Sequence, residues 1–111
     1  MTISFDDFMQ VEMHVGTIIA AEDFPKARKP AYQLTIDFGE RLGIKRSSAQ
    51  ITVLYNKEDL IGRQIVAVTN FPPRLIATFF SEVLVLGSVD TEGVVSLLAP
   101  TGKVEIGLRV G

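Results

Sequence analysis

Apolar and polar residues alternate most cleanly over residues 32–38, where Tyr32, Leu34, Ile36 and Phe38 share one face and Gln33, Thr35 and Asp37 the other. Successive side chains of an extended chain point to opposite sides, so a period of two predicts a half-buried strand. The same alternation, with Val15, Thr17 and Ile19 against Gly16, Ile18 and Ala20, predicts a strand over 15–21, ended by Asp23-Phe24-Pro25. Residues 64–69 and 82–89 are β-rich and apolar on both faces, the pattern of central strands in a closed or two-layered sheet. Asp90-Thr91-Glu92-Gly93 then turns the chain into residues 94–98, which predicts a hairpin.

Two segments depart from this period. Ser4 is suited to cap a short helix carrying Asp6 and Asp7 in its first turn, with Phe5, Phe8 and Met9 at helical spacing. Over 44–55, Ile51, Val53 and Tyr55 suit a strand while Ile51, Leu54 and Tyr55 suit a helical stripe, so the segment reads as strand first and helix second. Asn56 can cap a further helix through Lys57, Glu58 and Asp59, which Gly62 would stop. About five strands, with one short helix between the third and fourth, is the order of an all-β OB-fold, a five-stranded Greek-key barrel that commonly binds polymers. A two-layer sandwich is the alternative. No linker divides the chain, so residues 1–111 are expected to form a single domain.

Composition adds a partner and a compartment to this picture. The hydrophobic share of 47% and mean hydropathy of +0.29 are high for so small a chain, which predicts an apolar interface and a homodimer. With no cysteine there is no disulfide framework, and with no basic and apolar leader at the N-terminus the expected location is cytoplasmic. The apolar runs are too short to insert in a membrane. Residues 26–74 hold nine of the 11 basic side chains and four of the 13 acidic ones, although the whole chain carries a net charge of −2. A patch of that kind can attract RNA phosphates or acidic polypeptide; a solvated surface is the plainer reading.

Catalytic chemistry is hard to find. The one histidine, His14, cannot build a zinc site or a metal hydrolase alone, and its apolar neighbours Met13 and Val15 suit a packed side chain. Ser47, Ser48 and Ser81 lack a nucleophile elbow, and the glycines form no phosphate loop, so neither an enzyme nor a cofactor is expected. Binding chemistry is easier to place. Lys26, Arg28 and Lys29 make the densest positive loop, which Lys45 and Arg46 could extend. In Asn70-Phe71-Pro72-Pro73-Arg74 two prolines fix φ and remove two donors, making a stiff corner that aims Phe71 either into the barrel or outward as a platform for a base or an apolar side chain. The adjacent Phe79 and Phe80 must point to opposite sides if extended, so one of them lines a groove or an interface.

Val15-Gly16-Thr17-Ile18, Ser47-Ser48-Ala49-Gln50-Ile51, the Asn70-to-Arg74 corner and Ser81-Glu82-Val83-Leu84 together resemble the tRNA-binding-domain family of OB-folds over nearly the whole chain. Lys29-Pro30-Ala31-Tyr32, leading to Ile36-Asp37-Phe38-Gly39, and the Phe-Pro-Pro-Arg corner are most similar to its export-related chaperone branch. That resemblance implies a homodimer built from extensions outside the barrel. It also implies binding of unfolded or precursor polypeptides and of the SecA export motor. RNA-binding relatives carry Ser-x-Gly-Met where Ser81-Glu82-Val83-Leu84 stands, and often an arginine where His14 stands; tRNA is therefore the alternative ligand. The residues expected to contact peptide or RNA are the cations Arg28, Lys29, Lys45 and Arg74 and the aromatics Tyr32, Phe71 and Phe79. Ser81 and Glu82 complete the set.

Overall fold

A computed structural model describes residues 1–111. Helix α1 (Phe5–Met9) opens the chain as its sequence predicts, with a reciprocal cap: the Ser4 hydroxyl accepts from the Asp7 N–H at 3.0 Å and the Asp7 carboxylate accepts from the Ser4 N–H at 3.2 Å. No residue of α1 is buried, and Phe5 lies in the open.

The barrel is built from β1 (Met13–Asp23), β2 (Tyr32–Asp37), β3 (Ile44–Ala49), β4 (Gln64–Val68) and the two-residue β7 (Leu84–Val85), all antiparallel, in the order β3-β2-β1-β4-β7. Strand β1 serves two neighbours. Its first half pairs β4 and its second half pairs β2, with a bulge at Ile19 where the strand bends around the barrel. The five strands form the nearly closed sheet of an OB-fold. The alternation read over 32–38 is realised side chain by side chain, Leu34, Ile36 and Phe38 being fully buried with Ile18, Leu60 and Ile65. Gly16 is required by that packing, because a Cβ there would sit 2.6 Å from Ile36 and 2.7 Å from the Phe38 ring.

Closure of the barrel relies on side chains. Strand β3 is the last in the sheet order and would otherwise present a free edge. Glu82 N–H donates to the Arg46 carbonyl at 2.8 Å, Arg46 N–H donates to Glu82 Oε1 at 3.0 Å, and Ser48 N–H donates to Ser81 Oγ at 3.0 Å. The seam is thus one main-chain bond flanked by two side-chain acceptors.

Several expectations are corrected. Residues 82–89 are not one central strand: β7 pairs β4, Leu86 bonds both Val66 and Leu98, and β8 (Gly87–Val89) turns away to pair β9 (Val95–Leu97). Only Val83 in that run is buried, while Leu84 is 49% and Val89 67% exposed. The chain changes partners at Leu86, so one face after that point looks outward. Residues 51–55 form a turn rather than a helix, and α2 (Lys57–Leu60) starts after Asn56 without any bond to the Asn56 side chain. The stiff corner at 70–74 continues into a hairpin that its prolines did not reveal, β5 (Arg74–Ile76) with β6 (Phe79–Ser81). A last strand, β10 (Arg109–Val110), pairs Met13 and His14 and brings the C-terminus beside α1, where Arg109 donates to the Met9 carbonyl at 2.7 Å.

Candidate functional site

A groove of about 700 Å³ runs along the seam, between the corner and hairpin β5–β6 on one side and hairpin β8–β9 on the other. Its walls are mainly apolar, with Phe71, Ile76, Leu84, Leu86 and Val89 prominent among them, and Arg74 reaches into it. Phe71 settles outward, at 49% exposure, which decides between plug and platform. The corner that aims it is fixed by Asn70, whose side chain accepts from the Glu12 N–H at 3.0 Å and donates to the Gln10 carbonyl at 2.8 Å. With two prolines following, the aromatic ring stands on a braced backbone.

Four of the nine residues singled out in the sequence meet in this groove: Phe71, Arg74, Ser81 and Glu82. The last two already accept hydrogen bonds from β3, so their first role is structural. Phe79 is 5% exposed, packed on Phe24 with ring centroids 5.3 Å apart and covered by the Arg46 guanidinium at 4.4 Å; Phe80, its neighbour, takes the exposed side at 59%. Tyr32 is buried and its hydroxyl donates to the Tyr55 carbonyl at 2.8 Å, so it offers no face for stacking. Lys45 and Arg46 alternate to opposite faces of β3, Lys45 facing the side of its partner Ile36 and Arg46 bonding Gln33 at 3.2 Å. They do not form one positive track.

The basic loop is nevertheless tied to the groove wall. Phe24 and Ala31, at its two ends, form a second small core with Phe79, against which Ala27 and Ile76 pack. Arg28 and Lys29 are exposed on that loop, and the molecule's one ion pair, Lys57 with Asp23 at 2.9 Å, involves neither of them nor Arg74. The groove was only partly visible in the sequence. Leu84, Leu86 and Val89 lie in the 82–89 segment whose apolar character predicts a central strand, and the interruption at Gly87-Ser88 is the sequence sign that this strand does not run through.

His14 is buried at the opposite end of β1. Its Nδ1 lies 2.7 Å from the Thr69 hydroxyl, which itself donates to the Glu12 carbonyl at 3.3 Å, so the ring donates from Nδ1 and presents Nε2 to Arg41 at 3.5 Å. Burial first, and then the Arg41 charge, hold its pKa below the ordinary 6.5. It is a packed histidine, as its apolar neighbours suggest, and it lies outside the groove.

The class defined by this geometry is an OB-fold domain with an apolar groove across its barrel seam. The family described as "Putative tRNA binding domain" matches residues 13–109, and the chain belongs to that family. Within it the likeness is to CsaA chaperones. The structure of the chaperone CsaA of Bacillus anthracis superposes with a TM-score of 0.95 at 52% identity over 100% of both chains. That of CsaA from Picrophilus torridus does so with a TM-score of 0.92 at 49% identity, covering 99% of this chain and 100% of the other. The methionine–tRNA ligase of Porphyromonas gingivalis is 33% identical over 108 residues, 97% of this chain but only 15% of the ligase. No helix is long and apolar enough to cross a membrane.

Proposed function

We propose that this chain is a non-catalytic, cytoplasmic chaperone that holds short extended segments of unfolded or precursor polypeptide in the groove. The observation that carries the reading is the apolar groove itself, with Phe71 and Leu84 each half-exposed at its rim and Arg74 free of any ion pair. Flat apolar contact with a cationic edge asks little of a ligand's sequence. Likeness to two CsaA chaperones along the entire chain supports it. Covering the exposed half of Phe71 is worth roughly 1–2 kcal/mol. Phe71→Ala and Leu84→Ala should each weaken binding of a reduced, unfolded protein about tenfold in a fluorescence titration. Unchanged affinity in both variants would place the site elsewhere.

A second reading, tRNA binding, is favoured by the exposed Arg28 and Lys29 on a loop packed against the groove wall, and by the family. Salt separates the two. Contacts to several phosphates make affinity fall steeply between low and physiological salt, whereas an apolar groove responds far less. Titrating one preparation with tRNA and with unfolded protein at both salts decides.

We further propose that the chain works as a homodimer and hands precursors to the SecA motor. Ile3, Phe5 and Leu108, all exposed, lie on the two terminal segments that Arg109 ties together, and this apolar exposure, which a second copy would cover, supports the first point. Sedimentation equilibrium tests the dimer, and co-sedimentation with purified SecA tests the partner.

A further inference from the structure

The groove is bordered by main chain as well as side chains, and the hydrogen bonds along β3 show where that main chain is free. Arg46 directs its N–H and C=O, and Ser48 its N–H, away from β2 and onto Glu82 and Ser81. Two residues on, Gln50 repeats their direction by the period of an extended chain. Neither its N–H nor its C=O is bonded within the molecule, it is exposed, and it lines the groove. Val83, also lining the groove, likewise makes no main-chain bond. The seam therefore closes the edge of β3 up to Ser48 and leaves open the main chain just past its end, at Gln50.

In an antiparallel ladder a residue of a hydrogen-bonded pair exchanges both of its bonds with the one residue opposite. We infer that a polypeptide enters the groove as a short added strand, pairing one residue with the main chain of Gln50 while its alternate side chains rest on Phe71, Leu84 and Val89. This rests on the reading of the groove as a polypeptide site. It deepens that reading, because pairing through N–H and C=O is indifferent to sequence while requiring an extended chain. The sugar-phosphate backbone of a nucleic acid has no N–H to donate to Gln50.

The test uses the full chain, with a reduced, unfolded protein and a peptide of alternating leucine and threonine flanked by glutamates as probes. Gln50→Ala removes only a side chain, whereas Gln50→Pro also removes the N–H. Gln50→Ala should bind both probes within about twofold of the parent, and Gln50→Pro about tenfold more weakly, the loss of one net hydrogen bond. Equal binding by the two variants overturns the inference. The ligand provides a check that does not depend on how Gln50→Pro folds: the peptide N-methylated at one alternate set of residues should lose about tenfold, and at the other set little. Equal affinity of both methylated forms and the parent peptide overturns added-strand pairing while leaving the polypeptide reading intact. Failure of the unmodified chain to bind either probe overturns both.

Discussion

Removing the two side-chain acceptors of the barrel seam should loosen β3 without disturbing the rest of the ladder. Ser81→Ala deletes the acceptor 3.0 Å from the Ser48 N–H, and Glu82→Ala the one 3.0 Å from the Arg46 N–H. Each is a single, partly or fully solvated bond, worth about 1 kcal/mol net. The 2.8 Å bond from Glu82 N–H to the Arg46 carbonyl is main chain and survives both changes. The double variant should therefore lose about 2 kcal/mol in urea unfolding, and more if the neighbouring bonds support one another. Glu82→Gln keeps an oxygen acceptor and should lose less. Amide exchange followed by NMR localises the effect: the Arg46 and Ser48 amides, left without acceptors, should lose most of their protection, while those of β1 and β4 lose only the roughly 30-fold that a drop of about 2 kcal/mol in global stability accounts for. If the double variant kept the parent's protection at both amides, the seam would not depend on these side chains.

Two further outcomes follow from burial. Gly16→Ala forces a methyl group against the buried Ile36 and Phe38, and overpacking at such a site should cost about 3 kcal/mol, lowering the melting temperature by about 10–20 °C; calorimetry measures it. His14 has a folded pKa below 6.5, so the unfolded chain takes up the proton first. The stability that neutral His14 contributes is complete above about pH 6.5 and falls as pH drops through that value toward the folded pKa. Melting temperatures of the parent and of His14→Gln, measured from about pH 8 to about pH 5, should show a steeper acid loss in the parent.

Local patterning made much of the barrel legible. The alternation at 32–38, the cap at Ser4, the turn at 90–93 and the short helix before β4 all depend on neighbours in sequence, and each is present. What could not be read depends on distant partners. Whether Phe79 or Phe80 faces outward is decided by Phe24, distant in sequence at the start of the basic loop, and not by either residue. The run at 82–89 looked like one buried strand because hydrophobicity does not record where a chain changes partners, and Leu86 does so. Tyr32 and Phe79 were credible ligands by residue type, and their burial removes them. Ser81 and Glu82, expected at the site from the family resemblance, have an architectural role that the motif does not express: their side-chain oxygens satisfy the edge of β3.

That edge bears on a hazard peculiar to a protein that collects unfolded chains. Exposed strand edges template further strands, and a captured segment that paired along the whole of β3 could recruit a second and seed cross-β growth. Here Ser81 and Glu82 blanket β3 as far as Ser48, and Pro72-Pro73 strip donors from the approach to β5, so the open edge begins only at Gln50 and is cut short by the turn at residues 52–54. A foothold that short permits capture and release, and gives an incoming chain no track along which to polymerise.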